Sequence, residues 1–199
     1  MESIDEGMNG RIYDLGASVK KIQKRNSLGH DIITQKRIHN LVERLVSELN
    51  LKLLRTPHVF MENQNEYEMT KIVTKDVIYL GDPNHGTALS ELLREMITQD
   101  LVILWIELFK SGFAAWDFEL FLQPDGTVMF IDFDKFGFRM TSGPVSILLP
   151  QTKRGSEKQT YTADTKYFFQ NPCFPHDFVE RLRAAGFEPP ADCLPTRKN

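Results

Sequence analysis

Gly112-Phe113-Ala114-Ala115-Trp116-Asp117-Phe118-Glu119-Leu120-Phe121-Leu122, followed by Val128-Met129-Phe130-Ile131-Asp132-Phe133-Asp134, is the stretch that decides the fold. Pro124-Asp125-Gly126 between the two parts is a turn signal, so Glu119 to Gln123 and Thr127 to Asp132 read as a hairpin. Four carboxylates crowd it: Asp117, Glu119, Asp132 and Asp134. They alternate with Phe118, Leu120, Phe121, Ile131 and Phe133, which implies a partly buried setting. Like charges held that close repel unless a cation offsets them. Mg²⁺ is one such cation, since it takes carboxylate oxygens. A guanidinium is another, since it meets carboxylates through paired hydrogen bonds. If the second strand runs on far enough, Asp132 and Asp134 face one side. The alternative is an acidic turn solvated by water.

Working outward, Thr87 to Lys110 carries a strong helical pattern, expected as two segments broken near Thr98 and stopped by Gly112. Before it, residues 11–22 read as two short strands around Gly16. From Asp31 the apolar positions Ile38, Leu41, Val42, Leu45, Val46 and Leu49 recur at helical spacing, and Asn50 marks the end. Strands at Val59 to Met61 and Tyr67 to Val73 flank Asn63-Gln64-Asn65. Residues 141–172 are polar and irregular, and a last helix from Pro175 to Ala185 is stopped by Gly186. Strands, helix, strands, helices, hairpin, helix is an α+β order.

Two further groups of residues carry possible chemistry. Gly7 and Gly10 allow a strand turn to fold over phosphates, with Lys20 and Lys21 on the next strand within reach of them. A plain hairpin beside an exposed basic strand reads the same way. Gln35, on the following helix, sits where a partner for Lys20 is expected and can hydrogen-bond it without neutralising it. Lys20, Lys21, Lys24, Arg25, Lys36 and Arg37 form a basic run suited to a phosphate backbone or to a solvated face.

In order and spacing these features resemble a protein kinase. Asp132 follows Glu119 by the interval that separates the kinase catalytic-loop asparagine from the metal-binding aspartate. The resemblance then puts Glu119 at the asparagine position, Ala114 at the catalytic base, Gly112 at the histidine and Gln35 at the helix glutamate. It implies a reduced protein-kinase-like fold, with a small β-rich N-lobe over residues 1–75 and a truncated helical C-lobe over 76–199. With Ala114 at the base position, ordinary phosphotransfer is not expected.

The segment Trp116-Asp117-Phe118-Glu119 with Ile131-Asp132-Phe133-Asp134-Lys135 and the later Asn171-Pro172-Cys173-Phe174-Pro175 also looks like a fungal group sharing an Asp-x-Glu…Ile-Asp-Phe signature. That group is similar to the arginine-containing cyclodipeptide synthases, which join arginine from its tRNA to a second amino acid and close a diketopiperazine. In that resemblance Asp117 or Glu119 would be the proton acceptor, and Asp132, Asp134 and Trp116 are the candidates for binding substrate. The resemblance implies Gly7, Gly10, Lys20, Lys21 and Gln35 as tRNA- or nucleotide-binding residues. No metal or cofactor is then required, and arginyl-tRNA is the partner. Two other readings stand beside it. One is a pseudokinase scaffold. The other is an atypical kinase using ATP and Mg²⁺, with Glu119 and Asp132 as metal ligands and Asp117 as base.

Composition narrows the field. At 199 residues the length fits one domain, in one body or two lobes, and 41% hydrophobic residues suffice for a core. A net charge of −3 argues against a DNA-coating protein. Cys173 and Cys193 lack zinc-ligand spacing, and a reducing, cytoplasmic compartment is expected. The N-terminus shows no basic or apolar signal region. The apolar run Leu101 to Phe109 is too short for a bilayer, so no membrane partner is expected. His30, His39, His58, His85 and His176 have no ligand spacing.

Overall fold

The computed structural model describes residues 3–6, 10–23, 32–63, 66–82, 84, 88–115, 118–132, 136–138, 169 and 171–189. The N-terminal half is a five-stranded antiparallel sheet. Its strands are β1 (Ser3–Glu6), β2 (Gly10–Asp14), β3 (Ser18–Gln23), β5 (Val59–Glu62) and β6 (Glu66–Thr70), in the spatial order β1-β2-β3-β6-β5. Helix α1 (Ile32–Glu48) and the short strand β4 (Leu54–Arg55) lie between β3 and β5 in the chain. Gly16 closes the β2–β3 turn at φ 92°, where a side chain is strained, and its N–H donates to Asp14 Oδ1 at 2.8 Å. Asn50, at φ 50°, follows α1, as expected of the residue marking its end.

The second half begins with α2 (Glu91–Lys110). The expected break near Thr98 does not occur. Thr98 is buried on the packed side of α2, where burial outweighs the few tenths of a kcal/mol that a β-branched residue costs a helix. The start lies at Glu91 because Ser90 Oγ accepts the Leu93 N–H at 3.3 Å and caps it. Gly112, at φ 86°, turns the chain into β7 (Phe113–Ala115). The hairpin β8 (Glu119–Leu122) and β9 (Val128–Ile131) follows, then β10 (Phe136–Phe138), which pairs back on β7. Helix α3 (Phe178–Ala184) starts three residues later than expected, because Pro175 to Asp177 form a turn closed by the Phe178 N–H on the Pro175 carbonyl.

This is an α+β chain with a small antiparallel N-terminal sheet and few helices, in the order of a kinase-like fold. A helix follows the third strand, a buried helix follows the sheet, and a short hairpin ending in a carboxylate follows that helix. No helix among the described residues is long and apolar enough to cross a membrane.

Burial explains why these pieces assemble. One apolar cluster joins α1 (Ile38, Val42), α2 (Ile97, Leu101, Leu104, Trp105), the hairpin (Leu120, Phe130) and the C-terminal segment (Phe174, Phe178). Trp105 stacks on Phe109 at 5.1 Å and meets Phe178 edge-on at 6.2 Å. A smaller cluster, Val19, Val59, Tyr67 and Met69, lines one face of the sheet.

Strand β6 stops at Thr70, short of the expected Val73. The Gln123 side-chain amide takes the place of a strand neighbour there. Its Oε1 accepts the Val73 N–H and its Nε2 donates to the Val73 carbonyl, both at 2.9 Å. The linker from the sheet is thereby tied to the hairpin, and Val77 bridges Phe121 further along.

Gly81 shows how closely the C-terminal segment docks. Its N–H donates to the Pro172 carbonyl at 2.9 Å, and a Cβ there would lie 2.7 Å from the Phe174 carbonyl oxygen. Both obstacles are backbone. Gly81→Ala should therefore cost about 1–3 kcal/mol, the usual range for overpacking. Chemical denaturation checks this, and a variant as stable as the wild type would show that the segment yields freely.

Candidate active site

The hairpin delivers two of the four carboxylates to one place. Glu119 begins β8 directly opposite Ile131, the last residue of β9, and Asp132 is the next residue. Strand alternation does not continue through Asp132, as the sequence had suggested it could. β9 ends at Ile131, and Asp132 takes a left-handed φ of 66°. That conformation costs a non-glycine residue on the order of 1 kcal/mol, though aspartate tolerates it better than most. The turn bends the chain away from the strand at the end of the hairpin, and both Glu119 and Asp132 are half-buried there. Strain of this sort gathers at functional sites.

The floor of the site is rigid. Phe118, immediately before Glu119, is buried between Phe130 and Phe174, each with its ring centre 4.9 Å away. Ala114 lies in β7 opposite Gly137, so the position aligned with a kinase base is an alanine within a strand pair. Trp116, Asp117, Asp134 and Gly7 lie outside the described residues, as do Lys24 and Arg25 of the basic run. Among the described residues no group of three or more His, Cys, Asp or Glu side chains is placed to hold a metal.

The two lysines of β3 part company, and this corrects the expected pairing of Lys20 with Gln35. Adjacent strand residues face opposite sides of a sheet. Lys20 pairs with Tyr13 and Glu68 in register and forms an ion pair with Glu66 at 3.3 Å, on the face that also carries Ser18. Lys21 sits between Ile12 and Tyr67, on the face of the Val19, Tyr67 and Met69 cluster. Its charge reaches the buried His39 of α1. Gln35 lies one turn before His39 on the buried stripe of α1 and is itself buried. The inner lysine is therefore Lys21. Gly10 has a direct part in placing it: a Cβ at Gly10 would lie 3.2 Å from Lys21 Cε and 3.1 Å from the Ile22 carbonyl, so the lysine stem runs across the glycine. Lys36 is half-buried and Arg37 exposed near the start of α1.

Sequence reasoning missed three residues that hold the site. Asp100 of α2, Gln123 after β8 and Asn171 act on backbone groups far away in the chain. Asn171-Pro172 stood out only within the stretch quoted for the resemblance, and no periodicity links it to the hairpin.

No protein-family model matches the chain, and no curated protein does. Among solved structures it is similar to a SAICAR synthetase from a structural-genomics effort. The TM-score is 0.42 and the identity 17%, over 67% of this chain and 84% of that one.

Proposed function

We propose that this chain is a tRNA-dependent cyclodipeptide synthase that takes arginine from arginyl-tRNA. The observation that carries the reading is the convergence of Glu119 and the strained Asp132 at the open end of one hairpin. Asp132, with Asp134 two positions after it and Trp116 three positions before Glu119 in sequence, suits a guanidinium. Glu119 or Asp117 takes a proton from the attacking α-amine. The amine forms an amide with the ester carbonyl of the second aminoacyl-tRNA, the ester C–O bond breaks, and tRNA leaves with its 3′-oxygen. A second aminolysis closes the ring and releases the other tRNA. Both ester bonds are already activated, so positioning and a proton acceptor suffice and no metal or nucleotide is needed. Lys36 and Arg37 near the start of α1 and Lys20 on the outer face of the sheet would supply charge to an acceptor arm, with Lys21, Gly10 and the buried Gln35 behind them on the inner side.

The test is mass spectrometry of extracts from bacteria expressing the chain. Arginine-containing cyclic dipeptides should appear with the wild type and fall on the order of a hundredfold in Glu119→Ala and Asp132→Ala, with the protein still folded. Full product from both variants would remove the basis of the reading.

A second reading has its own observation. Lys21 on the inner face, beside α1, stands where a kinase-like fold holds a phosphate-binding lysine, while Ala114 offers no base. A nucleotide-binding pseudokinase fits both facts. Mg-ATP would then raise the melting temperature of the wild type and not of Lys21→Ala.

A further inference from the structure

The C-terminal segment reaches the candidate site through one side chain. Asn171 Nδ2 donates to the Phe118 carbonyl at 3.2 Å, across 53 positions of sequence. That carbonyl belongs to the peptide whose nitrogen is the Glu119 amide. The other end of the same amide is occupied too: Asn171 Oδ1 accepts the Cys173 N–H at 2.8 Å. The turn is closed by the Phe174 N–H on the Asn171 carbonyl at 2.9 Å and anchored by the Gly81 N–H on Pro172. Phe174 then packs its ring edge-on against Phe118. Asn171 is thus held on a rigid turn and itself holds the peptide on which Glu119 is mounted.

We propose that Asn171 is a positioning residue for the Glu119 carboxylate. The inference rests on the reading of Glu119 as proton acceptor. Rotation of the Phe118–Glu119 peptide would shift the backbone on which the Glu119 side chain is mounted, at the very end of the β8–β9 pairing. The Phe118 ring is locked by Phe130 and Phe174, and the carbonyl is locked by Asn171. A displacement of about 1 Å at a proton acceptor is enough to cost up to a hundredfold in rate while leaving substrate binding nearly untouched.

Asn171→Asp separates this role from simple support. It keeps the acceptor for the Cys173 N–H and loses the donor to Phe118. Asn171→Ser is the second variant: its hydroxyl can still accept from Cys173 but is too short to reach Phe118. With purified full-length protein and aminoacyl-tRNAs, kcat should fall at least about tenfold in both variants at unchanged KM. Phe187→Leu, which loosens the C-terminal segment where it packs on Trp105 and Phe109 and leaves Asn171, Phe174 and Phe118 in place, should lower the melting temperature and keep kcat. Independently of any substrate, three-bond couplings in nuclear magnetic resonance should report a single Glu119 χ1 rotamer in the wild type and averaging in Asn171→Asp. Wild-type kcat in the Asn171 variants would overturn the proposal, as would Glu119 couplings that do not change. A wild type that makes no product, with couplings that do change, would sink the synthase reading and leave the positioning role standing.

Discussion

Lowering the pH from about 6.5 to about 4 should remove about 3 kcal/mol of folding stability through one side chain, His39. His39 lies on the buried stripe of α1, with Nε2–H donating to the Pro57 carbonyl and Thr56 Oγ1 3.2 Å away. Burial is the dominant influence and pushes its pKa down from 6.5 to about 4. The bond to Pro57 and the charge of Glu43 oppose the shift, while His58 and Lys21 add to it. The sign follows directly. The folded state holds His39 neutral down to about pH 4, whereas the unfolded chain protonates it below about 6.5. Between those values the unfolded state binds more protons, so stability falls with acid at up to about 1.4 kcal/mol per pH unit. Below about pH 4 the contribution no longer changes.

Urea denaturation of wild type and His39→Gln at pH 7 and pH 4.5 measures the effect. The glutamine amide can still donate to Pro57 but cannot titrate, so most of the acid sensitivity in this window should disappear. An unchanged acid slope in His39→Gln would show that another group is responsible. Asp14, beside Lys71, Glu95, beside Arg181, and Asp125, bonded to Thr127, are all held below the usual carboxylate range. Their stabilising contributions start to be lost as the pH falls through the ordinary carboxylate values of 3.8 to 4.5, at the acid edge of this window, and they are common to both proteins, so the difference between wild type and His39→Gln still isolates His39.

Asp100→Ala should cost about 3–5 kcal/mol, a large share of the 5–15 kcal/mol that holds an ordinary domain folded. The Asp100 carboxylate is buried in the middle of α2 and accepts three successive backbone N–H groups, from Lys52 at 3.1 Å, Leu53 at 2.6 Å and Leu54 at 3.0 Å. Alanine leaves at least the two inner donors buried without an acceptor, and each such loss costs about 1–3 kcal/mol. Asp100→Asn keeps one acceptor oxygen and should fall in between. The consequence reaches the site, because Leu54 begins β4, which pairs with β9 at Val128 and Met129, and β9 leads directly into Asp132. A drop below about 1 kcal/mol on denaturation of Asp100→Ala would mean that water replaces the carboxylate.

Much of the architecture was legible from local pattern. The 3.6-residue period placed α1, the Pro-Asp-Gly turn placed the hairpin, and Gly16, Asn50, Gly112 and Gly186 all sit at positive φ where turns and helix ends were expected. The α2 segment was misjudged at Thr98 because propensity is a weak local preference and the burial that overrides it is a tertiary fact. The strand pair β7–β10 went unseen, since three-residue strands are too short to show a period.

The candidate site divides along the same line. By itself the sequence determined that two carboxylates, Glu119 and Asp132, meet at the end of one hairpin, because a turn of known length sets the register of its own strands. It determined also that adjacent lysines must take opposite faces of β3. Which lysine faces inward depended on the partner strands and on the side from which α1 approaches, and the tertiary structure chose Lys21. The left-handed turn at Asp132, the grip of Asp100 on β4 and the bond from Asn171 to Phe118 were decided there too. The last two join groups 46 and 53 positions apart, and no local preference encodes a contact whose two ends meet only after the core has closed.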